Sequence, residues 1–413
     1  MLSVENIVHA SRMLEGVAVH TPLQYNVQLS EEYECNIYLK REDLQIVRSY
    51  KLRGAYNKIA SLTTAEKQNG VVCASAGNHA QGVAYACQKL NIKGTIFMPV
   101  TTPSQKVNQV NLFGKELVTA VLTGDTFDDA YRSSVEFCSS QNACFVHPFD
   151  DEKVMEGQGT VAKEILDDAG FTIDYFLIPV GGGGLAAGVS SYFVQISPLT
   201  KIVGVEPEGA ASMHQSIING FNTELKQIDT FVDGAAVKKA GDKTFPICKQ
   251  LLNEIVLVPE GKVCTTILNL YNQQAIVVEP AGALTVAALG LMKEKLKGKN
   301  VVCLLSGSNN DILRTAEIRE RSLQYEGLKH YFVIRFPQRA GALKEFVGTV
   351  LGPQDDIVHF EYMKKNNREN GPALIGIEMK SPADLPPLRH RLNHLGFKHE
   401  YLNGNDNLLQ FLI

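Results

Sequence analysis

The chain has 413 residues, 45% of them hydrophobic, with a formal net charge of -4. This length predicts two or three units around a substantial core, and the small negative charge gives no reason to expect attraction to nucleic acid or a membrane. Eight cysteines at 35, 73, 87, 138, 144, 248, 264 and 303 form no C-x-x-C pair, which argues against a disulfide framework or a zinc ligand set and for free thiols in a reducing compartment.

At the start, Met1-Leu2-Ser3-Val4-Glu5-Asn6 lacks a basic region followed by an apolar core, and no apolar stretch is long enough to cross a bilayer. A cytoplasmic chain is the expectation. Lys51 follows in Ser49-Tyr50-Lys51-Leu52-Arg53-Gly54-Ala55. From about Val71 to Ser306, short β-branched runs alternate with longer helical stretches. The runs include Gly94 to Val100, Tyr175 to Val180, Lys201 to Glu206 and Val301 to Leu305, and most are apolar on both faces, as buried parallel strands are. Ala80 to Lys89 and Ala281 to Leu296 are among the helices between them. The pattern predicts an α/β fold with wound, open sheets.

After Asp311 the pattern changes. Ile312 to Leu328 is charged and helix-compatible, a neck between domains. Phe332, Ile334 and Phe336 then alternate as in a half-buried strand, and Gly341 to Leu351 reads as a helix. Ile357 to Met363 and Ala373 to Met379 are strands separated by the polar turn Lys364 to Gly371. Leu385, Leu388, Leu392 and Leu395 share a helical face, and Asn407 to Ile413 would close the sheet. The order βαββαβ is ferredoxin-like. The domains are therefore expected at 1–320 and 326–413.

Three polar, glycine-bearing turns each follow an apolar run: Ser75-Ala76-Gly77-Asn78-His79, Gly181-Gly182-Gly183-Gly184, and Ser306-Gly307-Ser308-Asn309. Open α/β sheets bind ligands at the carboxyl ends of their strands, where these turns would lie. With Lys51 they read as the parts of one pyridoxal-phosphate site. A lysine forms a Schiff base when its amine can be neutral, and desolvation or nearby cations favour that state. Four successive glycines carry a backbone-entropy cost that close approach of a ligand justifies. Their N–H groups, feeding a helix from Leu185, would cradle a phosphate. Asn78 offers a donor and an acceptor to the phenolic oxygen of the cofactor, although it or Ser75 could equally cap the helix that follows. Ser306 would face the pyridine nitrogen. A hydroxyl there leaves that nitrogen neutral, which favours loss of a β-substituent over transamination or racemisation. His79 reads as structural. A rival reading takes Gly182-Gly183-Gly184-Leu185-Ala186-Ala187 as G-x-G-x-x-A and Glu206 as a ribose-binding acid, the fingerprint of a nicotinamide oxidoreductase.

Six motifs in order resemble the fold-type II pyridoxal-phosphate enzymes, and within them the biosynthetic threonine dehydratases: Lys40-Arg41-Glu42-Asp43-Leu44-Gln45, the Lys51 segment, Ser75 to Gly82, Gly181 to Leu185, Glu279-Pro280-Ala281-Gly282-Ala283 and Ser306 to Asn309. The resemblance covers essentially the whole chain. It implies two catalytic subdomains with open sheets and one C-terminal ACT-like regulatory domain. It implies conversion of L-threonine to 2-oxobutanoate and ammonia, the first step of isoleucine biosynthesis. Lys51 would hold the cofactor and remove the Cα proton. The β-hydroxyl would leave protonated through the cofactor phosphate. Backbone N–H groups from Ser75, Ala76, Gly77, Asn78 and His79 would hold the substrate carboxylate. Gly181, Gly182, Gly183, Gly184 and Leu185 would bind phosphate, and Asn78 and Ser306 the ring. Glu279 either lines the site or ends a strand Ala275 to Val278.

The resemblance further implies a homotetramer, with isoleucine as effector and valine as a possible antagonist, bound near the turn Arg335 to Leu343. Serine racemases, which are similar, carry a serine where Ala76 stands, so racemisation is not expected. Ser212 stands where related metal sites have an acid, so no metal site is assigned, and Glu206 is left to cap a strand or hold a monovalent ion. A serine-preferring dehydratase and a non-catalytic amino-acid sensor of the same fold remain the alternatives.

Overall fold

The computed structural model describes residues 1–362 and 370–404. It divides into two compact units, Met1–Asp311 and Ile312–Ile413. The first holds ten strands: β1 Leu23–Tyr25, β2 Asn36–Arg41, β3 Val71–Ala74, β4 Gly94–Met98, β5 Val118–Leu122, β6 Cys144–Phe145, β7 Tyr175–Pro179, β8 Lys201–Pro207, β9 Glu254–Val258 and β10 Asn300–Leu305. They form a six-stranded sheet in the order β1-β2-β10-β7-β8-β9 and a four-stranded sheet in the order β5-β4-β3-β6. All pairings are parallel except β1 with β2. The buried runs explain the parallel pairing: Val71 to Ala74 and Tyr175 to Pro179 are covered on both faces by helices. The larger sheet takes two strands from before Val71, where the alternation was not read.

The helix Lys51–Ala60 packs against Asn78–Leu90 from the smaller sheet and against Glu152–Asp168 from the larger one. The crossing is close. A Cβ at Gly157 would lie 2.4 Å from the Arg53 carbonyl oxygen, so only glycine lets the two backbones meet. Lys51 thus starts a helix wedged between the two sheets.

The expected strand Ala275 to Val278 does not form. Ala275, at φ 53°, caps the preceding helix Glu260–Gln274, and Glu279 is the N-cap of Pro280–Leu296, with proline favoured at the first helical position. Among the described residues no helix is long and apolar enough to cross a membrane.

The second unit begins with the helix Thr315–Tyr325, which packs on β11 Lys329–Pro337. β12 Asp356–Tyr362, β13 Asn370–Glu378 and β14 His399–Tyr401 complete an antiparallel sheet in the order β12-β13-β11-β14. Helices Ala342–Thr349 and Leu385–His394 lie between the strands in sequence, which gives the expected βαββαβ order. Phe332, Ile334 and Phe336 pack with Phe346, Ile375, Leu388 and Leu392. Leu395 departs from expectation: it sits past the helix end and is 43% exposed. The fourth strand is His399–Tyr401, and Asn407 to Ile413 lies outside the described residues, as does most of the turn Lys364 to Gly371.

Candidate active site

The three turns emerge where β3, β7 and β10 end, and a backbone stitch brings Lys51 beside one of them. The Tyr50 N–H donates to the Ser306 carbonyl at 3.2 Å, and the Ser308 N–H to the Arg48 carbonyl at 2.9 Å. Ser49 and Gly307 form an isolated antiparallel bridge. On its other side Gly307 accepts from the Glu279 N–H at 3.2 Å. Main-chain bonds therefore place the segment that carries Lys51. A cavity of about 650 Å³ opens there, lined by Lys51, Ser75 to His79, Gly181 to Leu185, Glu279, Ser306 and Asn309.

Lys51 Nζ donates to the Pro148 carbonyl at 2.9 Å. Burial pushes its pKa down to about 8, and the Glu279 carboxylate offsets part of that shift. A substantial neutral fraction is what a lysine nucleophile needs. His79 Nε2 donates to the Val146 carbonyl at 2.8 Å, and burial lowers its pKa to about 3, so the ring is neutral. This is the structural role expected of it.

Two of the glycine-bearing turns present N–H groups. The Gly182 carbonyl accepts from Thr244 Oγ1 at 2.6 Å and from the Gly241 N–H at 3.1 Å, and the Gly183 carbonyl accepts from the Ala187 N–H at 2.8 Å. With these carbonyls engaged, the N–H groups of Gly181 to Leu185 have no protein partner among the described residues, at the start of the helix Gly184–Ile196. Gly183 holds φ at 89°, a conformation glycine adopts without strain. Behind the cradle, the Asp150 carboxylate accepts the N–H groups of Asp242, Lys243 and Thr244, which fixes the segment that holds Gly182.

In the Ser75 turn, the Ser75 N–H donates to the Phe97 carbonyl and the Gly77 N–H to Ser75 Oγ. Ala76, Asn78 and His79 keep N–H groups without a protein partner among the described residues. The helix cap considered for Ser75 or Asn78 is absent, since Gly77 stands at the N-cap with no side-chain bond. Asn78 instead donates from Nδ2 to Glu279 Oε1 at 2.7 Å and accepts from Asn309 Nδ2 at 2.6 Å. Burial raises the Glu279 pKa to about 7, with Asp233 adding to the shift and the Asn78 donor opposing it.

These residues fit pyridoxal phosphate: a buried amine of lowered basicity, a run of unpartnered N–H groups for a dianion, and the polar side chains of Asn78 and Ser306 on the same cavity. The nicotinamide reading loses its acid. Glu206 is fully buried and accepts the N–H groups of Met213 and His214 at 2.9 and 2.7 Å, holding the start of the helix Ser212–Asn219. Among the described residues no cluster of three metal-ligating side chains occurs. Asn309, Phe149 and the segment Asp233-Gly234-Ala235 also line the cavity, and sequence reasoning gave them no role. Asn309 had a signal, since it ends the Ser306 turn; the others sit in stretches without a chemical pattern.

Residues 15–307 match the family described as pyridoxal-phosphate dependent enzyme, and residues 320–412 the C-terminal regulatory domain of threonine dehydratase. The L-threonine dehydratase biosynthetic IlvA of Halalkalibacterium halodurans is 59% identical, over 100% of this chain and 99% of its own length. Its counterpart in Bacillus subtilis is 57% identical, over 100% and 98%. The structure of the processed form of threonine deaminase isoform 2 from Solanum lycopersicum superposes with a TM-score of 0.72 at 40% identity, covering 78% of this chain and 94% of that one.

Proposed function

This chain belongs to the pyridoxal-phosphate-dependent enzymes and, within them, to the biosynthetic threonine dehydratases with a C-terminal regulatory domain, and we propose how its residues carry that activity. The reaction takes L-threonine to 2-oxobutanoate and ammonia. Bound pyridoxal phosphate supplies the electron sink that makes the Cα proton removable. With the cofactor bound, Lys51 Nζ would hold it and would take the Cα proton of the substrate, roles that its burial and lowered pKa support. The N–H groups of Gly181, Gly182, Gly183, Gly184 and Leu185 bind the phosphate. Asn78 and Ser306 would face the ring. For the substrate carboxylate, the unpartnered N–H groups of Ala76, Asn78 and His79 serve, in a loop shared with Ser75 and Gly77.

The observation that carries this reading is the convergence of Lys51, the unpartnered glycine N–H groups, Asn78 and Ser306 on one cavity. The Ala76 side chain has no proton to give, which favours elimination over racemisation. Threonine and serine differ by one methyl group, a difference worth roughly 1–3 kcal/mol, so the substrate preference is read from kcat/KM for each.

The regulatory domain binds an amino-acid effector, for which we propose isoleucine, with valine as antagonist, at the strand-to-helix turn Arg335 to Leu343. Control requires that the effector bind two states unequally. Titrating isoleucine into threonine turnover should raise the half-saturating threonine concentration, and an unchanged curve would remove the effector assignment. We also propose a homotetramer, which sedimentation tests.

A further inference from the structure

Three side chains on the cavity wall form a hydrogen-bonded chain with only one possible direction. Asn309 Nδ2 donates to the Val47 carbonyl at 2.9 Å and to Asn78 Oδ1 at 2.6 Å. A carbonyl only accepts, so Val47 dictates which end of the Asn309 amide carries nitrogen. Both N–H groups of that nitrogen are then committed, and the Asn78 atom facing them must be oxygen. The Asn78 nitrogen lies on the other branch, where it donates to Glu279 Oε1 at 2.7 Å. Glu279 also accepts the Asn309 backbone N–H, which closes the loop.

The orientation of an asparagine amide is ordinarily a free choice of two. Here a backbone carbonyl at one end and a carboxylate at the other remove it. Glu279 is itself confined: a Cβ at Gly307 would lie 2.6 Å from its Oε1, so a larger residue there would push the carboxylate from its place. One N–H of Asn78 Nδ2 remains uncommitted, and Asn78 lines the cavity.

We propose that Asn309 and Glu279 are positioning residues that lock Asn78 as a hydrogen-bond donor toward the cavity, so that the phenolic oxygen of the bound cofactor is held in its ionised form. The inference rests on the cofactor assignment above. An N–H facing an anionic oxygen makes a charge-assisted bond, about twice as strong as a neutral one. A flipped Asn78 would present its carbonyl oxygen instead, which suits only a protonated phenol.

The test uses full-length protein reconstituted with pyridoxal phosphate and no substrate. The absorbance of the ionised form, at longer wavelength, is compared with that of the neutral form at fixed pH, and the dissociation constant of the cofactor is measured by titrating the apo-protein. Asn309→Asp keeps the shape but turns a donor into an acceptor, so Asn78 reverses. The ratio of ionised to neutral form should fall roughly tenfold or more, as expected for loss of one charge-assisted hydrogen bond, and the cofactor should bind correspondingly more weakly. Glu279→Ala leaves Val47 and Asn309 to orient Asn78, so its ratio should fall by less than that of Asn309→Asp. Circular dichroism establishes that each variant is folded, and Asn309→Ser, which removes the donor without adding charge, replaces any aspartate variant that is not. An unchanged ratio in folded Asn309 and Glu279 variants overturns the lock while leaving the cofactor assignment standing. A wild-type protein that shows neither band overturns the cofactor assignment, and the lock with it.

Discussion

Arg53 donates to both carboxylate oxygens of Glu42, from Nε to Oε2 and from Nη2 to Oε1, each at 2.8 Å, and the pair is almost wholly shut away from water. Burial alone disfavours both charges, yet each holds the other: Glu42 stays below its usual pKa and Arg53 above its own. Glu164 joins the pair through Arg53 Nη1 at 2.6 Å and also takes Lys40 Nζ at 2.7 Å. This cluster anchors the helix that begins with Lys51.

Removing one partner of a buried pair strands the other, at a cost of about 3–5 kcal/mol. Arg53→Met should therefore lower the unfolding free energy by about that much, measured by denaturant titration of the apo-protein. Arg53→Lys should recover only part of it, because an ammonium cannot bridge both Glu42 oxygens. A loss below ~1 kcal/mol, typical of an exposed pair, would mean the cluster is not holding the helix.

Lys51 offers a pH prediction. Its pKa falls from 10.5 to about 8 on folding, through burial first and with Glu279 opposing. The rate at which apo-protein captures pyridoxal phosphate should rise with pH through a midpoint near 8 in stopped-flow absorbance. The linkage has a definite sign. Between about 8 and 10.5 the unfolded lysine binds more proton than the folded one, so this group makes the apo-protein more stable as pH rises across that window. A capture midpoint near 10.5 would show that the amine is not desolvated.

The glycine cradle makes a steric prediction. A Cβ on Gly182 would stand 2.4 Å from the Phe149 ring, so Gly182→Ala must displace that ring at the cradle. Cofactor affinity should drop roughly tenfold or more, the worth of a hydrogen bond to a charged group. Equilibrium dialysis of the folded variant reads the loss directly. Wild-type affinity would place the phosphate elsewhere.

The parts legible in the sequence were those with a local signal. Lys51, the tetraglycine run, Asn78 and Ser306 each stand in a short pattern with a chemical meaning, and the apolar runs from β3 to β10 announced buried parallel strands. What escaped depends on contacts across long separations. Asn309 gains its role through Val47 and Asn78, 262 and 231 residues away. Glu279 was read as either a strand end or a wall of the site, and the left-handed turn at Ala275 decides that question by ending a helix there. The fourth strand of the second unit, only three residues long, was too short for its alternation to show.

The central claim is that Lys51 carries pyridoxal phosphate and removes the Cα proton of threonine. The most direct test records the absorbance spectrum of purified wild-type protein and of Lys51→Ala, adds L-threonine to each, and follows 2-oxobutanoate. The wild type should show the band of lysine-linked cofactor, shift it on adding threonine and accumulate 2-oxobutanoate. The variant should stay folded, lack that band and lose roughly 10³-fold or more of the turnover. Normal turnover in Lys51→Ala, or a wild-type protein that remains colourless with added cofactor, would contradict the account.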